Sequence, residues 1–266
     1  MKHVLTAQVR EPGYEVLFLV GGYLGISVEP AFRNLEEIFR WQDDVQSWRM
    51  HLKRLQEKGL IELDLGKGRW VGRMTAMGAA VFSGGRHPEE AWSRRWDGQW
   101  RLLSFDLPRR EGATRMKLRR WLMARQFGRL QGSVWICPDP VSGLGGVIAE
   151  DRVGSDAVMV FEGNLAGKAV PGEVAAMAWD FDGINAGYRR YVDGADRALQ
   201  QMRKKAPSME RLRDILRVDR RQWLEVVGRD PLLPEVALPG GYEGFAAWEA
   251  RGRLMGRLGA LVGERA

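Results

Sequence analysis

Asp106 stands at the end of an apolar run, "WRLLSFDLP", and a dense basic stretch follows it. From Arg109 to Arg129 there are eight basic residues (Arg109, Arg110, Arg115, Lys117, Arg119, Arg120, Arg125 and Arg129) against one acid, Glu111. Two chemistries suit this juxtaposition. A lone carboxylate at a strand end is a thin site for a divalent metal, though symmetry could supply a second. A row of guanidinium groups binds phosphates or carboxylates through charge-assisted hydrogen bonds. Pro108, Arg109 and Arg110 favour the second, because their cations pair with Asp106 or compete with a metal. Asp106 then reads as a buried structural acceptor, with metal binding as its alternative role. The bland reading of the basic run is a solvated helix face.

The elements that position these residues follow an α+β pattern. "WRLLSFDLP" is a strand ended by Pro108, a helix spans Glu111 to Gln126, and Phe127 to Pro138 forms two short strands or one bent one. "VSGLGGVIAE" predicts a second helix and "DAVMVFEG" a fourth strand. That is the βαββαβ order of a ferredoxin-like domain over residues 99–180. Gly143, Gly145 and Gly146 do not make a phosphate loop, since neither G-K-[ST] nor G-x-G-x-x-G accompanies them.

Residues 1–82 predict a winged helix. Asp43 or Asp44 caps a helix in which Val45, Trp48, Leu52 and Leu55 face a core at helical spacing. Gln46, Ser47, Arg49, Lys53 and Arg54 are left as candidate DNA contacts, and Gly59 stops the helix. Ile61, Leu63 and Leu65 alternate with acids as a half-buried strand does, and "GKG" turns the chain into a second strand. Lys67 and Arg69 sit at this wing tip, where cations gain affinity for phosphates without reading bases. Residues 83–98, rich in Gly, Pro and charge, predict a linker, and residues 181–266 a helical C-terminal domain.

Composition narrows the remaining classes. The chain has 266 residues, 45% of them hydrophobic, so it can bury real cores in one to three domains. Its formal charge of +7, with pI near 9.8, suits an anionic partner. One cysteine, Cys137, forbids an internal disulfide and fits a reducing cytoplasm. No stretch predicts a signal peptide or a membrane span. His3, His51 and His87 are too scattered for a zinc site or a histidine-based triad, and no cofactor is expected.

Later residues add "AWDF" at 178–181, "YRRYV" at 188–192 and "GRDPLLPEVALP" at 228–239. Together with "FDLP" and "LQGSVWI" at 130–136, this succession resembles the PaaX family of phenylacetate-catabolism repressors. The middle segment alone is also similar to the small CRISPR-adaptation endonucleases, whose ferredoxin-like fold that family shares. The resemblance implies a homodimeric, DNA-binding transcriptional repressor of a catabolic operon. It implies that the middle domain dimerises, that the partner is a double-stranded operator, and that an aryl-acyl coenzyme A thioester releases it. Arg109, Arg110, Arg119 and Arg120 would meet the phosphates of that effector, and Trp135, a core residue by default, is the best candidate for a platform under its aryl group. The alternatives are a metal-dependent nuclease acting through Asp106 and a non-catalytic oligomerising adaptor.

Overall fold

The computed structural model describes residues 45–64, 71–75, 77–78, 86–145, 157–164, 170–204 and 207–263. In chain order these form α1 (Val45–Glu57), β1 (Ile61–Asp64), β2 (Val71–Met74), α2 (Pro88–Ser93), β3 (Trp100–Phe105), α3 (Gly112–Ala124), β4 (Gly128–Gln131), β5 (Val134–Cys137) and β6 (Val158–Gly163). The helices α4 (Pro171–Ala178), α5 (Phe181–Lys204), α6 (Met209–Arg229) and α7 (Gly244–Gly263) follow. The chain divides into two units: Pro88–Asn185 with Arg229–Tyr242, and Met1–His87 with Ala186–Gly228 and Glu243–Ala266. Among the described residues no helix is long and apolar enough to cross a membrane.

The first unit is built on a four-stranded antiparallel sheet of order β4-β5-β3-β6. A βαββαβ chain gives this order, with its first and third strands in the middle. Phe127–Pro138 resolves into two strands rather than one bent strand. The turn between them holds Gly132 at φ +52, and Arg129 Nε donates to the Gly132 carbonyl at 3.0 Å. Of the second expected helix, Leu144 and Gly145 are helical and 146–156 lie outside the described residues. Leu103, Phe105, Trp135 and Val158 from the sheet meet Leu118 and Leu122 of α3 in one apolar core.

The opposite approach to this sheet is held open for α4 by a missing side chain. A Cβ on Gly128 would stand 2.6 Å from Trp179 Cε2 and 2.7 Å from Ala178 Cβ. Trp179 Nε1 donates to the Gln126 carbonyl at 3.1 Å, fixing the indole there.

Two parts of this unit differ from the expected domain plan. The expected linker contains α2, whose Trp92 is buried and whose Nε1 donates to the Tyr242 hydroxyl at 3.2 Å. Arg94 then grips Asp139 at 2.9 and 3.0 Å and donates to the Leu232 carbonyl at 2.6 Å. Asp97 binds Arg101, a buried guanidinium that also donates to the Pro138 carbonyl at 2.8 Å. Composition reports charge and glycine content, not the partners those charges find.

The second difference is "DPLLPEVALP", which belongs with the sheet rather than with the C-terminal helices. Asp230 is fully buried and accepts from the Leu232 amide at 2.7 Å and from the Tyr242 hydroxyl. Leu232, held at φ 49 by these contacts, and Leu233 are buried as well.

In the second unit, glycines bring α5 and α6 together: Cβ atoms on Gly187 and Gly194 would meet Val226 at 3.2 Å and Gln222 at 3.3 Å. Trp223 sits at the centre, 5.3 Å from Tyr191 and 5.5 Å from Trp248 between ring centroids.

Candidate functional site

The helix and hairpin expected to meet DNA form one braced module. Leu52 and Leu55 of α1 are buried, while Lys53 and Arg54 are exposed. The helix ends as a Schellman motif: the Gly59 amide donates to the Gln56 carbonyl at 2.8 Å and the Leu60 amide to the Leu55 carbonyl at 2.9 Å. Gly59 has φ +68, the left-handed conformation this motif needs, and buried Leu60 covers buried Leu55. Ile61 and Glu62 of β1 then pair with Met74 and Arg73 of β2.

Thr75, which sequence reasoning passed over, ties hairpin to helix. Its amide donates to the Leu60 carbonyl at 3.0 Å and its hydroxyl to the Gly59 carbonyl at 2.6 Å. Of Gln46, Ser47 and Arg49 only the helical backbone is described. Lys67 and Arg69 lie outside the described residues.

At the end of β3 the structure separates residues that the sequence had grouped. Asp106 is exposed, not a buried acceptor, and its amide donates to the Ala157 carbonyl at 2.9 Å. Among the described residues no cluster of three or more metal-ligating side chains occurs.

The basic run does not form one anion-binding face, because several of its cations are spent on structure. Arg115 donates to the carbonyls of Leu107 and Pro108, tying off the strand end. Arg125 lies 4.1 Å above the Trp121 ring. Arg110 is exposed beside Glu111, at 4.0 Å, and Arg109 contributes its backbone to a short 3-10 turn at Arg109–Glu111. Arg120 is exposed and Arg119 half-buried on α3. Trp135 is 6% exposed within the core against α3, so its ring is not presented as a platform. Alternation on β5 points it at the helix, and apolar neighbours on both sides keep it there.

The helical unit holds a charged cluster that the sequence reading missed. Asp219 and Arg251 are buried, with Arg251 Nε 3.5 Å from Asp219 Oδ2. The Tyr191 hydroxyl donates to Asp219 Oδ1, and Arg251 stacks on Trp223 at 4.7 Å. Burial pushes the Asp219 carboxyl above its usual range, against the pull of Arg251 and Tyr191. The Tyr191 phenol is held well above its ordinary range, chiefly by burial and then by the charge of Asp219. Next to this cluster a cavity of about 220 Å³ opens between α5 and α6, lined by Tyr191, Gly194, Asp219, Gln222 and Leu254 among others. No local motif marks it, since its members come from three helices.

Residues 93–175 match the family model described as the PaaX protein central Cas2-like domain. An uncharacterized protein, Rv0674, from Mycobacterium tuberculosis has a similar solved structure. The TM-score is 0.54 at 20% identity, over 94% of this chain and 96% of that one. At that identity the likeness speaks for the fold alone. No curated protein matches the chain.

Proposed function

We propose that this protein, whose residues 93–175 match the model of the PaaX central Cas2-like domain, is a DNA-binding transcriptional regulator, a repressor whose reading head is a winged helix within residues 1–82. The observation that carries the reading is the braced module of α1 and the β1–β2 hairpin, which keeps Lys53 and Arg54 exposed on a helix whose other side is buried. A winged helix places such a helix in the major groove and its hairpin over neighbouring phosphates. Arg49, Lys53, Arg54 and the polar Gln46 and Ser47 are then the base and phosphate contacts. Lys67 and Arg69, in the hairpin connection, add affinity for any sequence.

The chain works as a homodimer through its sheet unit, so that two heads reach half-sites related by a twofold axis. An effector, for which an aryl-acyl thioester is the working model, lowers operator affinity and opens a catabolic operon. Arg110, Arg119 and Arg120 remain available cations on the sheet unit, whereas the buried Trp135 is not part of the reading.

Fluorescence anisotropy with duplex DNA from upstream of the chain's own gene tests it. Specific binding should fall steeply with salt. Lys53→Ala or Arg54→Ala should weaken it by ~1–3 kcal/mol where the side chain reads a base, or uniformly across sequences where it meets phosphate. A folded chain that binds no duplex at low salt refutes the assignment.

A further inference from the structure

We propose that the cavity between α5 and α6 is a binding site for a small apolar carboxylate, held with its charge between Arg197 and Arg211 and its body beside Tyr191. This goes beyond the regulator reading: it names a small-molecule site separate from any site for the thioester effector, and does not rest on that reading.

The ligand chemistry follows from which lining groups are already satisfied. Two acids face the cavity, Asp214 and Asp219. Asp219 is engaged by the Tyr191 hydroxyl and by Arg251, and Asp214 lies 3.8 Å from Arg217. Arg197 and Arg211, both exposed at the rim, are set against these. Arg197 makes no ion pair among the described residues, and Arg211 only a 3.4 Å hydrogen bond to the Gln201 side chain. The unspent groups are thus guanidinium donors and the Gln222 amide, a set that suits an anion with oxygen acceptors.

The walls argue for an apolar body. Ala195, Ala198, Ile215 and Leu254 line the space together with the Tyr191 ring. The opening exists because Gly194 and the alanines withhold side chains along α5. At about 220 Å³ it is smaller than the ~300–1,000 Å³ of drug-sized sites, so it takes roughly one ring or a short acyl chain and not a whole coenzyme. Asp219 and Tyr191 are shared by the cavity and the buried cluster around Trp223. An occupant therefore touches the groups that fix α5, α6 and α7 to one another.

Calorimetric titration of the full chain with benzoate, hexanoate and neutral benzamide, without DNA, tests the site. Both carboxylates should bind saturably, and benzamide about tenfold more weakly or worse. Arg197→Gln and Arg211→Gln should each weaken benzoate about tenfold while leaving benzamide unchanged. Gly194→Leu, whose Cβ would meet the flexible end of Gln222 at 3.3 Å, should abolish binding of all three with the fold retained by circular dichroism.

Equal affinity for benzamide, insensitivity to both arginine changes, or no saturation at millimolar ligand would overturn the proposal. So would binding of benzoyl-coenzyme A with none of benzoate. DNA binding is measured separately, so a chain that binds carboxylate but no duplex refutes the regulator and keeps the site. The reverse result refutes the site alone.

Discussion

Asp219 and Asp106 show how little a residue's type says about its energetic weight. Asp219 is buried against Arg251 and Tyr191, so Asp219→Asn strips a buried cation of its counter-charge and should cost about 3–5 kcal/mol in urea unfolding. Asp106 is exposed, and Asp106→Asn should stay within about 0.5 kcal/mol of the parent. The same Asp106 variant, incubated beside the parent with DNA and RNA in magnesium or manganese, addresses cleavage. Metal-dependent degradation lost in the variant would restore the nuclease alternative.

Two buried acids govern behaviour at high pH. Burial pushes the Cys137 thiol from 9.0 up to about 12, and the Tyr191 phenol rises above 10.0. In both, the folded state holds a proton that the unfolded chain has released. Stability therefore falls as pH rises from about 9 toward 12 for Cys137 and from about 10 upward for Tyr191, by up to ~1.4 kcal/mol per pH unit for each proton. Urea midpoints at about pH 8 and pH 10.5 should show a smaller loss in Cys137→Ala and in Tyr191→Phe than in the parent.

Helix ends allow a prediction of opposite sign at two like places. α1 and α3 both stop in a Schellman motif, the second through the Gln126 amide on Met123 at 3.0 Å and the Phe127 amide on Leu122 at 3.1 Å. The left-handed residue is Gly59 in one and Gln126, at φ 63, in the other. Gly59→Ala should cost about 1 kcal/mol and Gln126→Gly should gain a similar amount, read as thermal midpoints of the full chain.

These elements also show what was legible beforehand. Gly59, the alternation of Ile61 and Leu63, and the strand ended by Pro108 were readable because their causes lie within a few residues. The stop at Gln126 was not, since nothing in its side chain favours φ > 0 and the tertiary fit of Phe127 and Trp179 imposes it. Tyr191 and Asp219 are 28 residues apart, and no periodicity links them across two helices. Trp135 lies in the core that is its default place. A ring that suits a ligand platform suits a core equally well, and only the packing decides.

For the whole molecule the division into units matters more than the order of domains. The sheet unit includes Arg229–Tyr242, so a fragment of residues 97–180 leaves out buried Leu232 and Leu233 and the anchor at Asp230. Such a fragment should expose apolar surface and unfold with a broad transition. The full chain, in which the sheet unit is complete, is the form in which to look for the dimer. Sedimentation of the full chain should give twice the monomer mass at micromolar concentration, and a strict monomer there would remove the dimeric part of the regulator model.

The chain passes between its units at residues 87–88, 185–186, 228–229 and 242–243. A ribosome delivers these pieces in sequence, so the sheet unit has all of its polypeptide once Tyr242 has emerged. The unit that contains α1 and its hairpin is still waiting for α7. Until Arg251 leaves the exit tunnel, Asp219 has no guanidinium to neutralise it, and Leu254, Met255 and Leu258 are missing from the helical core. Arg251 is made nine residues after Tyr242, so at ~5–20 residues per second it follows by on the order of a second. A nascent chain would thus hold the whole polypeptide of its sheet unit before that of its helical unit, and its proposed hold on DNA would wait for α7.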